Sequence, residues 1–151
     1  MLRDFLPQHA DNAYRGSRLA PWIFAVVVFM RVLMSLNSLL NARTVARFAD
    51  GIPIHTYSPA AEQTAVSLFS LLGLYSFIIC LICILVLILY RNLIPAVFGL
   101  LLLQFIGAKL IAHFLPIIRT GTPPGIYVNW VLLVFIVIGL ALSIRWRESD
   151  A

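Results

Sequence analysis

The sequence is poor in charged residues, and above all in acids. Only 11% of its 151 residues are charged, 62% are hydrophobic, and six are Asp or Glu. Soluble domains are about 45–50% apolar and about a quarter charged, so this composition cannot cover a surface that faces water. The sequence therefore predicts a protein whose main solvent is lipid.

Motifs for catalysis are absent as well. The sequence contains no nucleophile elbow, no glycine-rich phosphate loop and no HExxH zinc motif. The three histidines, His9, His55 and His113, lie on different segments, and their spacing fits neither zinc nor haem. We predict no catalytic residue and no metal site, and a role without enzymatic activity is favoured.

Cysteine is nearly absent too. Cys80 and Cys83 form a CxxC within the apolar stretch FIICLICILVL, whereas redox-active pairs are partly exposed at the start of a helix. Residues three apart on a helix also strain a disulfide. We expect two free cysteines that act as small packing residues.

The positive net charge of +5 does not indicate nucleic-acid binding. The basic residues occur singly or in pairs near the ends of apolar runs, where the signals for membrane topology are found. A nucleic-acid interface requires a basic tract or stripe. We expect membrane lipids as partners, with a membrane-protein partner or a second copy of the chain as further candidates, and no nucleic acid.

Four apolar runs are long enough to cross a bilayer, which requires about 20 helical residues. They span residues of about 21–41, 65–90, 93–115 and 127–146. They predict an all-α integral membrane protein, a four-helix bundle in one domain over residues 21–146. Residues 1–20 and 147–151 then form a cytoplasmic N-terminal segment and a cytoplasmic tail.

Prolines and capping residues mark the expected ends of these helices. Ser58, followed by a proline, is typical of an N-cap, and Asn92 is a candidate cap for the third helix. Pro116 is expected to end that helix, and Thr122 with the next proline to open the fourth. Helix one is expected to continue past the membrane to Gly51, a plausible stop.

Arginine distribution predicts the orientation, because cytoplasmic loops carry an excess of positive charge. The side of the two termini carries six arginines: Arg3, Arg15, Arg18, Arg91, Arg145 and Arg147. The opposite side carries three: Arg43, Arg47 and Arg119. We expect a multi-pass protein of the plasma membrane, here a bacterial inner membrane, with both termini in the cytoplasm.

Arg31 interrupts the first apolar run near the middle of the bilayer. It lies ten residues after Pro21, or about 15 Å along a helix, and an arginine at that depth costs about 2.5–3.5 kcal/mol on insertion scales. Ser35 and Ser38 follow on the same helical face, and Asn41 extends the polar sector toward the outer side.

Further polar residues occur in the outer halves of the third and fourth spans. Lys109 and His113 are four residues apart on one face, Gln104 projects from a different side, and Asn129 lies near the start of the fourth span. No Asp or Glu lies in any span, so Arg31 and Lys109 have no buried carboxylate to pair with. Their long side chains can extend to the membrane–water interface. Alternatively, they can bond to neutral polar groups and water, or hold a ligand such as a lipid head group, a fatty acid or a quinone.

These residues predict a ligand-binding crevice that opens toward the outer side. The candidate residues are Arg31, Ser35, Asn41, Lys109, His113 and Asn129. Helix two carries small residues, Gly73, Ser76, Cys80 and Cys83, at spacings of three and four, which allow close helix approach.

This layout resembles that of the DoxX-like small membrane proteins. The resemblance lies in four helices, a basic residue in the first, a substantial outer segment before the second, and the sequence LFSLLGLY at residues 68–75. Some members of that group accompany quinone-linked oxidoreductases. We expect a protein that binds a lipid, a quinone or a partner membrane subunit. The alternatives are a membrane subunit of a quinone-linked oxidoreductase and a structural or assembly factor without a ligand.

Overall fold

Four long helices account for most of the chain. The computed structural model describes residues 12, 14 and 16–145, and for Arg145 the backbone alone. Most of the predicted N-terminal segment and the predicted tail lie outside these residues, together with Arg3, Arg15, Arg147 and His9. The helices are α1 (Leu19–Leu40), α2 (Pro59–Leu89), α3 (Ile94–Phe114) and α4 (Pro124–Arg145).

Each of the four helices is long and apolar enough to cross a membrane. The part of the chain that the structure describes contains no strand. These observations confirm the predicted all-α, multi-pass four-helix bundle. We call the end where α1 and α3 finish and α2 and α4 begin the loop end, and the opposite end the termini end.

Local backbone chemistry explains where the helices begin and end. The Ser58 hydroxyl accepts a hydrogen bond from the Ala61 amide at 3.3 Å and caps α2, as predicted. Asn92 does not cap α3, which follows a short 3-10 turn, Arg91–Leu93. The α4 helix begins at Pro124 and not at Thr122, because a residue that precedes a proline avoids the helical conformation.

The segment after α1 continues in helical form, as predicted, but with a break. Asn41 leaves the helical conformation with φ −125° and ψ 38°, and one α-helical turn, Ala42–Thr44, then leads into a π-helical turn, Val45–Ala49. Gly51 ends the segment with φ +69°, a conformation that favours glycine.

The main core lies in the half of the bundle near the termini end. The rings of Phe24 on α1 and Phe98 on α3 pack edge to face with centroids 5.1 Å apart, and both side chains are fully buried. Ile94, Leu132 and Ile136 complete the contact with α3 and α4. This half of the bundle therefore holds all four helices together.

The bundle is less closed toward the loop end. The α1 helix packs on α2 and α4, and α3 packs mainly on α4, while α2 and α3 share little contact although a tight turn joins them. Residues 108–114 of α3 are all exposed. The loop-end half of α3 is therefore covered on few sides by the rest of the chain.

The predicted small-residue face of α2 forms the contact with α1. Gly73, Cys80 and Cys83 are buried, and both cysteines are free, as expected. A Cβ atom added at Gly73 would lie 2.5 Å from the Leu39 amide nitrogen and 2.8 Å from the Ser38 carbonyl carbon. The backbones of the two helices approach too closely here for a side chain larger than hydrogen.

The two connections at the loop end bind each other. Thr120 donates hydrogen bonds from its amide and its hydroxyl to the Gly51 carbonyl, at 2.7 and 3.1 Å. Burial raises the pKa of the neighbouring Asp50, and the charge of Arg119 partly opposes this effect. The raised pKa means that the contribution of Asp50 to stability declines as the pH rises above the usual carboxyl range.

We predict that Gly73→Ala destabilises the protein by about 1–3 kcal/mol, because the added methyl group forces the backbones of α1 and α2 apart. The matched control is Gly107→Ala in α3, where an added Cβ meets no atom within 4 Å. The control is expected to stabilise the helix by up to about 1 kcal/mol. Thermal unfolding in detergent, followed by circular dichroism, distinguishes the two, and equal melting temperatures would contradict the close contact.

Candidate functional site

A cavity of about 230 Å³ lies between the helices at about the middle of the predicted spans. All four helices contribute to its wall. The polar lining residues are Arg31, Ser35, Ser38, Ser76, Gln104 and Asn129, and the apolar ones are Met34, Phe105, Ala108, Leu132 and Ile136. Gln104 and Ala108 are exposed, so the cavity is open along α3.

Among the residues that the structure describes, Arg31 is the only charged one in this wall. Its Nη2 atom donates a hydrogen bond to Gln104 Oε1 at 2.7 Å, and Gln104 is its one hydrogen-bond partner among the described residues. A guanidinium carries five N–H donors, so one amide oxygen satisfies a small part of its capacity. The ion pair between Arg43 and Glu62, at 3.4 Å, lies outside the cavity.

The other polar groups of the wall are neutral. Ser35 is buried, and its hydroxyl donates to the Val32 carbonyl at 2.9 Å. Asn129 is half-buried on α4, about 7.5 Å from the start of that helix. Together with Arg31 and Gln104, these groups offer an incoming molecule a guanidinium, two amides and hydroxyl groups.

The structure brings together three of the six residues predicted from the sequence. Arg31, Ser35 and Asn129 all line the cavity, whereas Asn41, Lys109 and His113 do not. Asn41 is exposed and donates from Nδ2 to Asn37 Oδ1 at 2.9 Å. The remaining polar groups of the cavity wall come from Ser38, Ser76 and Gln104.

Lys109 and His113 lie on a separate face of α3. The Lys109 amine lies 4.9 Å from the Trp130 ring centroid and 5.4 Å from that of Phe105. The His113 ring lies 5.4 Å from the Phe114 ring. Both residues are exposed, so they face the surroundings of the bundle and not its interior.

Gln104 lines the cavity and accepts from Arg31, although the sequence analysis did not include it among the six candidate residues. It was assigned to a different side of the helix from Lys109 and His113, and that side is the one that faces Arg31. Depth could have identified it: Gln104 lies ten residues into α3 and Arg31 twelve residues into α1, and both helices run from the termini end to the loop end. An isolated amide at the same depth as an isolated cation is a natural partner for it.

The cavity has the features of a binding site for an amphiphilic molecule. Its described lining combines the polar groups of Arg31, Gln104 and Asn129 with an apolar wall of Met34, Phe105, Leu132 and Ile136. The described residues include no group of three side chains that could hold a metal ion. The arrangement fits the polar end of an amphiphile that carries an anionic or carbonyl oxygen.

We predict that Arg31 and Gln104 are energetically coupled. Gln104→Leu is expected to lower the free energy of unfolding by about 1–3 kcal/mol, because it leaves the guanidinium without its acceptor. In a double-mutant cycle with Arg31→Leu, the coupling is expected to be about 1.5–3 kcal/mol. The exposed Gln63 of α2 serves as a control, and Gln63→Leu is expected to change stability by less than about 0.5 kcal/mol. Strictly additive effects of the two cavity substitutions would contradict the coupling.

Comparison with known proteins identifies no relative, because no known protein family, no curated protein and no solved structure matches the chain. The chemistry of the cavity is therefore the evidence for what this protein does.

Proposed function

We propose that this protein is a non-catalytic membrane component that binds the polar end of a lipid-phase molecule in the cavity around Arg31. The observation that carries the proposal is a cation at mid-span whose one hydrogen-bond partner among the described residues is a neutral amide. A cation in this position is costly, and a ligand that brings a carboxylate, phosphate or quinone oxygen to the guanidinium offsets that cost.

The route of access supports a ligand from the lipid phase. The cavity lies within the apolar helices, and its exposed wall residues, Gln104 and Ala108, belong to the poorly covered half of α3. The limited contact between α2 and α3 leaves an opening from the side. A fatty acid, a lipid or a quinone reaches the cavity by this route with its polar end leading and its chain in the bilayer.

A second candidate is a membrane subunit that acts with a partner protein, including a partner in a quinone-linked oxidoreductase, as the resemblance to DoxX-like proteins implies. The uncovered residues 108–114 of α3 favour this role, since they offer a surface to another membrane helix or to a second copy of the chain. The alternative is a structural or assembly role without a ligand. In that case the hydrogen bond to Gln104 is sufficient to hold Arg31 within the bundle.

The orientation with both termini in the cytoplasm of a bacterial inner membrane is part of the proposal. We predict that an impermeant maleimide labels His55→Cys on intact cells and does not label Arg91→Cys until the cells are opened. Both positions are exposed, and the native cysteines are buried. The reverse labelling pattern would place the termini outside.

The ligand proposal predicts that the wild-type protein, purified in mild detergent, carries a stoichiometric amphiphile with an anionic or carbonyl oxygen. Arg31→Leu is expected to reduce this content at least about tenfold, as the loss of one charged hydrogen bond implies. The content is measured by mass spectrometry of the extracted small molecules. The control Arg43→Gln removes a cation that lies outside the cavity, and it is expected to retain the ligand.

Unchanged ligand content in Arg31→Leu, together with higher stability, would overturn the binding role and favour the structural alternative. A stoichiometric protein in place of a small molecule would favour the partner-subunit role.

A further inference from the structure

A second cationic feature lies outside the cavity, on the loop-end half of α3. The Lys109 amine is held over the rings of Trp130 and Phe105, which pack edge to face with centroids 5.9 Å apart. A cation over an aromatic face is attracted by the ring electrons. The contact places one positive charge at a defined point between α3 and α4.

His113 extends this feature toward the end of the helix. It lies four residues after Lys109, and residues four apart share one face of a helix. Both side chains are exposed, and the apolar side chains of Leu110, Ile111 and Phe114 beside them are exposed as well. A molecule that binds this face meets a basic group with apolar surface on its flanks.

Lys109 lies within reach of the head groups at the loop end. It lies five residues, or about 7.5 Å, before the last residue of α3, and Trp130 lies six residues, or about 9 Å, after the first residue of α4. From this depth a lysine stem can carry its amine outward to the membrane–water interface, where the phosphates of lipids lie.

The part of the chain that the structure describes offers no carboxylate to these basic groups. Between Glu62 and Glu148 the sequence contains no Asp or Glu. At the loop end, Glu62 is paired with Arg43, and Asp50 is partly buried beside Arg119. The described residues of a second copy therefore bring no free acidic group to the level of Lys109, whereas an anionic phospholipid brings its phosphate there.

We propose that Lys109 and His113 bind the phosphate of an anionic phospholipid in the leaflet at the loop end. The acyl chains lie along the exposed apolar side chains of α3. Lys109 and His113 do not line the cavity, and Lys109 projects about 140° around the helix from Gln104. The two sites share only the Phe105 ring, which contributes to the cavity wall and lies under the Lys109 amine. Phosphate binding here does not depend on a ligand at Arg31.

Native mass spectrometry of the full chain tests the site. The protein is released from vesicles that contain equal amounts of phosphatidylglycerol and phosphatidylcholine with identical acyl chains. A basic residue near an anionic lipid surface favours binding by about fivefold, so the wild type is expected to retain phosphatidylglycerol at least fivefold over phosphatidylcholine. Lys109→Gln is expected to bring that ratio close to one, and His113→Gln to lower it.

Two further variants keep the result interpretable. Lys109→Arg preserves the positive charge and is expected to preserve the preference. Arg43→Gln removes the same charge from a loop-end cation already paired with Glu62, and it is also expected to preserve the preference. The proposal is overturned if Lys109→Gln retains the wild-type ratio, or if Arg43→Gln loses it equally. Lys109→Gln is expected to lower the lipid ratio by the same factor in an Arg31→Leu background as in the wild type, so the failure of either site is distinguishable from the failure of the other.

Discussion

The structure depends on one electrostatic constraint, which is that its four long helices contain cations but no acid beyond Glu62 in the first turn of α2. Arg31 can be held at mid-span only by neutral groups of this chain or by a molecule from outside it. The hydrogen bond from Arg31 Nη2 to Gln104 Oε1, 2.7 Å long, joins α1 to α3 at this level. Because these helices otherwise meet mainly through Phe24 and Phe98 near the termini end, this bond is their polar link.

The two halves of the bundle differ in how tightly they are packed. The termini-end half has an apolar core to which all four helices contribute. The loop-end half has the close contact of α1 with α2 at Gly73 and an α3 helix that is mostly uncovered. A protein that is tightly packed at one end and open at the other can be stable and can still admit a ligand from the lipid phase.

Much of the fold was predictable, because a helix that crosses lipid must be long and apolar and is therefore visible in the sequence. The length and hydropathy of the runs were sufficient to locate four helices, and the spacing of Gly73, Cys80 and Cys83 was sufficient to identify a face of α2 that approaches another helix closely. That the other helix is α1 is known from the structure alone. The pairing of Arg31 with Gln104 was not predicted, because periodicity orients a residue on its own helix and does not say which helices are neighbours. For the same reason, Lys109 and His113 were grouped with Arg31, although they face away from it.

The hydrogen bonds from Thr120 to the Gly51 carbonyl have a consequence for motion. They tie the connection that follows α3 to the connection that follows α1, at the end of the bundle where α3 is least packed. The chain is therefore held at Thr120, six residues beyond the last residue of α3, although the side chains of that helix end are uncovered. The end of α3 can move away from the bundle only as far as the five intervening residues reach, unless these bonds break first.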